Sequence, residues 1–246
     1  MKKALILGYG LVSYLFFFVT FVYLAAFIGD LGVPKSINRG APAAGAADIL
    51  LNALFPILFA VQHTVMARPR FKAWFTRIIP VAAERATFVL IASLILAAMM
   101  WQWKVMPTVL WDAGPIALRW ILQAVFFLGW LMVLYSSFLI DHFDLFGLRQ
   151  VWLNFRGAPY HHHPFIERSL YRVVRHPLML GFLLALWAAP TMTTGRLLLS
   201  SLLTIYIVFG THVEERDLLQ LLGQPYADYR RRTPMLLPGA RRGGKQ

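Results

Sequence analysis

Four apolar runs, at about residues 4–28, 48–66, 87–103 and 117–140, constrain this chain more than any other feature. Each approaches the roughly 20 residues a helix needs to cross a hydrocarbon core about 30 Å thick. A closer pair follows at about 178–190 and 197–212. Its first member makes a helix of roughly 20 Å, too short to cross alone, and "PTMTTG" at 190–195 predicts a turn before the second. The expected fold is all-α: a polytopic integral membrane helix bundle of four long spans plus a C-terminal transmembrane helical hairpin, with polar loops and short C-terminal helices on one side. Composition agrees, with 59% hydrophobic and only 14% charged residues, far from the globular balance.

The charge pattern orients the bundle. If the N-terminus is cytoplasmic, 19 of the 24 basic residues fall inside, and only Lys35, Arg39, Lys104, Arg119 and Arg196 fall outside. That asymmetry predicts two cytoplasmic termini. The first apolar run is too long for the core of a secretion signal and no small-residue cleavage pattern closes it, so it reads as a span. The net charge of +13 answers to topology and anionic headgroups rather than to nucleic acid. The absence of cysteine removes disulfides, thiolate metal sites and a cysteine nucleophile. One membrane domain is expected over 1–246: a four-span bundle at 1–140, a polar loop at 141–177, and the hairpin with its C-terminal segment at 178–246.

Polar residues gather on the predicted cytoplasmic side, and ionisable groups converging from several segments suggest a site. In "LYRVVRHPLMLG", 170–181, Pro177 suits the first position of a helix with His176 as its cap. The free amides and positive end of that helix, beside Arg175, suit an anion; a topology-setting basic boundary is the plainer alternative. In "THVEERDLL", 211–219, Glu214, Glu215 and Asp217 are three of eleven acidic residues, set where the end of the last span disfavours them. They either pair with Arg216 or Arg175, or bind a cationic group. A positive patch at 175–177 facing a negative one at 214–215 would match a zwitterionic amino-acid moiety. In "GQPYADYRRRTPMLLP", 223–238, Tyr226, Tyr229 and Arg230 share one face of a short helix, as nucleobase-stacking groups or as interfacial anchors.

A fourth cluster, "LIDHFDLFGLRQVW" at 139–152, holds Asp141, His142, Asp144 and Arg149 just after a span, while His63 sits alone in an apolar stretch. An isolated histidine usually satisfies a structural hydrogen bond, yet one at that depth is also a site candidate. The run of histidines at 161–163 is a poor metal site, because consecutive residues do not converge on one ion. No metal centre is expected. Nor is there a GxGxxG, Walker A or GxSxG pattern.

The ordered set "RHP", "EE" and "GQPYADYRRRTPMLLP" resembles the membrane methyltransferases typified by isoprenylcysteine carboxyl methyltransferase. The wider set "FAVQHTVMARPRFKAWFTR", "DHFDLFGLRQVW", "YRVVRHPLMLG" and "WAAPTMTTGRLL" resembles the methanethiol S-methyltransferases over most of the chain. The resemblance implies S-adenosylmethionine as methyl donor, held in cytoplasmic cofactor-binding loops by Arg175, His176, Pro177, Leu180, Glu214 and Glu215, with Tyr226, Tyr229 and Arg230 closing over it. It also implies a bacterial inner-membrane protein that methylates a small thiol, methanethiol first and hydrogen sulfide as a further option, with lipids as its surroundings and no obligate protein partner. Met179 stands where the "RHPxY" form of these enzymes has an aromatic, and offers an apolar wall or a sulfur contact instead.

Thiolate attack on a sulfonium methyl turns two opposite charges into two neutral sulfides, so a dry pocket does not oppose it. Making the thiolate is harder, since a cysteine-like thiol has a pKa of about 8.5. The candidate bases are His142 and His63, with Asp141 or Asp144 orienting an imidazole and Arg149 stabilising the thiolate. Competing readings are a methyltransferase for a lipid-linked acceptor, such as a prenylcysteine carboxylate or phospholipid amine, a haem membrane protein of the nitrite-reductase-accessory type, and a purely structural membrane protein.

Overall fold

The computed structural model describes residues 1–161 and 167–239. Five helices in it are long and apolar enough to cross a membrane: α1 (Lys2–Gly29), α2 (Ala46–Met66), α4 (Val81–Gln102), α5 (Ile116–Ile140) and α9 (Thr194–Leu222). Shorter helices are α3 (Pro69–Phe75), α6 (His142–Leu145), α7 (Leu148–Arg156), α8 (Pro177–Trp187) and α10 (Gln224–Arg232). A single 3-10 turn, Ser169–Arg172, precedes α8. The all-α polytopic architecture expected from the apolar runs is therefore present.

Two features depart from expectation. Residues 191–193, expected in a turn, form a strand, β2 (Thr191–Thr193), paired antiparallel with β1 (Val109–Asp112). Neither strand is long enough to carry a periodic signal. The second arm of the hairpin is also much longer than its apolar run, because α9 continues through the charged "EERD" to Leu222. Glu214 and Glu215 thus lie two turns inside the helix, and the dipole argument, which acts only within the last turn, does not apply to them.

The chain divides into two compact units. The first comprises Met1–Asp112, Asp141–His161 and Thr191–Leu203. Its core includes Met66, Phe88 and Val89, with Phe17, Phe71, Phe75 and Phe146 packed around them. Helix α2 carries Pro56 in its interior, which deprives the carbonyl of Asn52 of its usual partner. The Asn52 side chain, fully buried, fastens this turn by a two-way clasp on Lys104: its amide nitrogen donates to the Lys104 carbonyl at 2.7 Å and its oxygen accepts from the Lys104 amide at 2.9 Å. Gly10 lets α7 approach α1, since a Cβ there would lie 2.6 Å from a Val151 methyl.

The second unit comprises Ala113–Ile140 together with the described residues of 162–190 and 204–246. Here α5 and α8 touch backbone to backbone. A Cβ on Gly129 would fall 2.6 Å from the Gly181 carbonyl oxygen and 2.7 Å from the Ala185 nitrogen, and one on Gly181 would fall 2.7 Å from the Gly129 oxygen. Gly181 and Ala185 are four residues apart, the small-residue spacing that permits close helix contact in lipid. The 11 residues of α8 span only about 16 Å, so this contact fixes a helix too short to be held by a full bilayer crossing.

Candidate functional site

The clearest constellation lies in the second unit. Pro177 opens α8 with His176 as its cap, as the sequence predicts. The amides of Arg175 and His176 do not face a ligand, however. They donate to the carbonyls of Pro234 at 2.9 Å and Met235 at 3.1 Å. Leu180 donates to the His176 carbonyl at 3.0 Å, and Pro177 has no N–H, which leaves Leu178 and Met179 as the donors of the helix end.

Glu215 is the hub of this region. Its carboxylate accepts from Arg175 Nε at 2.6 Å, lies 3.2 Å from His176 Nε2 and 3.3 Å from Arg230 Nε, and is 4% exposed. Three motifs separated in sequence therefore meet on one buried carboxylate. Arg175 also donates through Nη1 to the Arg230 and Thr233 carbonyls, and its Nη2 has no hydrogen-bond partner among the described residues. Glu214 differs from its neighbour: its side chain is 49% exposed and lies 3.7 Å from His176 Nδ1. Of the two acidic residues, Glu215 is buried against Arg175, His176 and Arg230, and Glu214 is half-exposed.

Tyr226 and Tyr229 on α10 are 2% exposed, with ring centroids 5.8 Å apart, so they are interior walls rather than lipid anchors. Tyr229 donates its hydroxyl to the Tyr171 carbonyl at 2.6 Å. Burial pushes both phenols above their ordinary pKa; at Tyr226 the Glu215 carboxylate adds to it. Tyr171, which sequence reasoning did not select, is raised by burial and by Glu214, so it too stays a neutral phenol. Its signal was present, one aromatic inside "LYRVVRHP", but nothing local distinguished it from an anchor.

The other candidates lie in the first unit. Asp141 caps α6, its carboxylate accepting the Asp144 amide at 3.0 Å, with φ at 147°. Such a backbone is costly for a residue with a side chain. His142 follows, 5% exposed, with Nε2 2.8 Å from the Tyr14 hydroxyl. Burial lowers the imidazole pKa, opposed by the Asp141 carboxylate, so the ring is neutral near pH 7. Asp144 gathers Arg149 at 3.2 Å, Gln150 and the Tyr160 hydroxyl at 3.2 Å. Asp141 and Arg149 share a groove of about 380 Å³ walled by Leu7, Leu11, Phe143, Leu148 and Trp152. His63 lies in α2 between Phe59, at 5.2 Å, and Phe88, at 4.6 Å, inside an aromatic core. Of the histidine run, positions 162 and 163 lie outside the described residues.

The chain is 51% identical over 233 residues to methanethiol S-methyltransferase 2 of Bradyrhizobium diazoefficiens, covering 95% of this chain and 90% of that protein. It is 50% identical over 238 residues to a methanethiol S-methyltransferase of Mycobacterium tuberculosis, covering 97% and 98%. Methanethiol S-methyltransferase 1 of B. diazoefficiens is 46% identical over 233 residues, covering 95% and 82%. No family model matches the chain, and no solved structure matches it.

Proposed function

Because the chain belongs to the methanethiol S-methyltransferase family, we propose that it uses S-adenosylmethionine to methylate a small thiol, methanethiol giving dimethyl sulfide, with hydrogen sulfide as a second acceptor. The observation that carries the donor reading is the buried meeting of "RHP", "EE" and Arg230 of "YADYR" on Glu215. It leaves Arg175 Nη2 and the α8 amides for a carboxylate and the half-exposed Glu214 for an ammonium, the two ends of an amino-acid moiety. Bound there, S-adenosylmethionine supplies an electrophilic methyl group on a sulfonium. Arg175 and Glu214 orient it; Glu215 holds Arg175, His176 and Arg230 in place; Tyr226 and Tyr229 form an apolar wall without adding charge.

On the acceptor side, His142 is the favoured base, because a ring kept neutral by burial can accept a proton at pH 7, whereas His63 is enclosed by phenylalanines. His142→Ala is expected to lower kcat for methanethiol by about a hundredfold or more, with unchanged affinity for S-adenosylhomocysteine. The sign for pH is fixed by the lowered pKa: the base is competent above it, and the rate falls as pH drops through it. The charge asymmetry and the bacterial relatives support an inner-membrane protein with both termini cytoplasmic.

The test is isothermal titration of detergent-purified protein with S-adenosylhomocysteine, paired with headspace detection of dimethyl sulfide. Glu214→Gln is expected to weaken binding about tenfold, the loss of one charge-assisted hydrogen bond, with helix content unchanged. Absence of binding to folded wild type would remove the donor reading, and a Soret band in the purified protein would favour the haem alternative.

A further inference from the structure

The apolar groove between α1 and the α6–α7 segment has cations beside it that the protein's own acids leave unmatched. We propose that this groove binds one anionic phospholipid, with an acyl chain lying against Leu7, Leu11 and Trp152 and its phosphate held between Lys3 and Arg156. Its occupancy does not depend on the methyl-transfer reading.

The start of α1 sets the levels. Lys3 stands four residues before Leu7 and eight before Leu11, roughly 6 and 12 Å along the helix axis, and positions 3, 7 and 11 share a helix face. Leu7 and Leu11 wall one side of the groove, and Phe143, Leu148 and Trp152 wall the other. Gly10 brings α7 this close, since a Cβ there would lie 2.6 Å from a Val151 methyl. Two cations meet at the α7 end. A Cβ on Gly157 would lie 3.3 Å from Lys3 Nζ, and the guanidinium of Arg156 sits over the Trp152 ring at 5.9 Å. Charge therefore stands about one turn from where the apolar walls begin, as a phosphate stands above its acyl chains. Leu11, Phe143 and Trp152 are each about half-exposed, so the walls are left uncovered by other described residues. A one-carbon thiol would leave most of the groove's 380 Å³ empty.

The charges select the headgroup. Lys3 and Arg156 are exposed, and neither has an ion-pair partner among the described residues. The acids nearby are engaged elsewhere: Asp144 pairs with Arg149 at 3.2 Å, and Asp141 accepts the Asp144 amide at 3.0 Å. Nor does the end of α7 need the two cations as caps. The carbonyls of Leu153 and Asn154 already accept from the Ala158 and Gly157 amides at 2.9 and 3.2 Å. A phosphate diester satisfies both cations through charge-assisted hydrogen bonds, and the planar fork of Arg156 suits two of its oxygens. A zwitterionic headgroup brings a cation of its own to the same place, where Lys3 and Arg156 repel it. The exposed Trp152 and Phe155 of α7 are the residue types that seat a helix at the headgroup boundary.

Native mass spectrometry of the detergent-purified chain, offered equal amounts of phosphatidylglycerol and phosphatidylcholine with matched acyl chains, reads the preference directly. The wild type is expected to retain one phosphatidylglycerol per chain, favoured about tenfold or more over phosphatidylcholine. Lys3→Gln and Arg156→Gln are each expected to lower that preference about fivefold, whereas Lys3→Arg should keep it. Arg231→Gln removes an exposed cation already paired with Asp228 and should leave the preference unchanged. Leu11→Trp fills the groove while both cations remain, and should lose the adduct with helix content unchanged. Equal retention of the two lipids, an equal effect of Arg231→Gln, an adduct that survives Leu11→Trp, or a dimer held through this face in place of the lipid would each overturn the proposal.

Discussion

Glu215→Ala is expected to cost about 3–5 kcal/mol of stability, because it strands Arg175 without its closest counter-charge in a buried setting. The Arg175 side chain is 9% exposed and donates its 2.6 Å bond to that carboxylate. Glu215→Gln should retain part of the hydrogen bonding and lose the charge, and so fall between the two. Thermal unfolding in detergent checks the order wild type, Gln, Ala. S-adenosylhomocysteine titration checks the companion expectation that Glu215→Ala abolishes binding even at temperatures where the chain stays folded. Glu214→Gln, by contrast, should weaken binding while leaving the melting temperature nearly unchanged, since that side chain is half-exposed. Equal destabilisation by the two glutamate variants would contradict the division of labour between them.

Gly129→Leu should also be disruptive, by a different route. The added side chain would have to enter space held by the Gly181 carbonyl and the Ala185 nitrogen, and backbone atoms cannot rotate aside as a side chain can. Overpacking of this kind costs about 3 kcal/mol at the upper end of its usual range. Because α8 begins at the Pro177 end of the charged cluster, separating the two helices displaces His176 and Arg175 together. The expected result is a lowered melting temperature coupled to loss of S-adenosylhomocysteine binding. Gly8→Leu, where a Cβ meets nothing within 4 Å, should leave both near wild type and serves as the control.

Much of this architecture is legible in the amino-acid sequence. The spans at 4–28, 48–66 and 117–140 match α1, α2 and α5 to within about two residues, because length and continuous apolarity alone define a crossing. The start expected at 87 misses α4 by six residues, since Glu84 and Arg85 interrupt the apolar window without interrupting the helix. The same effect hides the charged extension of α9. Charge is a poor guide to where a helix stops once it has left the lipid. "RHP", "EE" and "YADYR" are legible as a set, but not the inequality of Glu214 and Glu215. Adjacent residues on a helix point about 100° apart, and only packing decides which faces inward. Tyr14 is illegible altogether: an aromatic in an apolar run differs from its neighbours by a single oxygen, and its partner lies 128 positions away.

The wiring of Arg175 implies an order of construction. Its guanidinium bonds residues 40, 55 and 58 positions later in the chain, and its amide waits for Pro234. A ribosome has therefore to deliver the last span and the segment beyond it before this arginine is neutralised. Until then the nascent protein carries an unmatched cation beside a half-built helix pair.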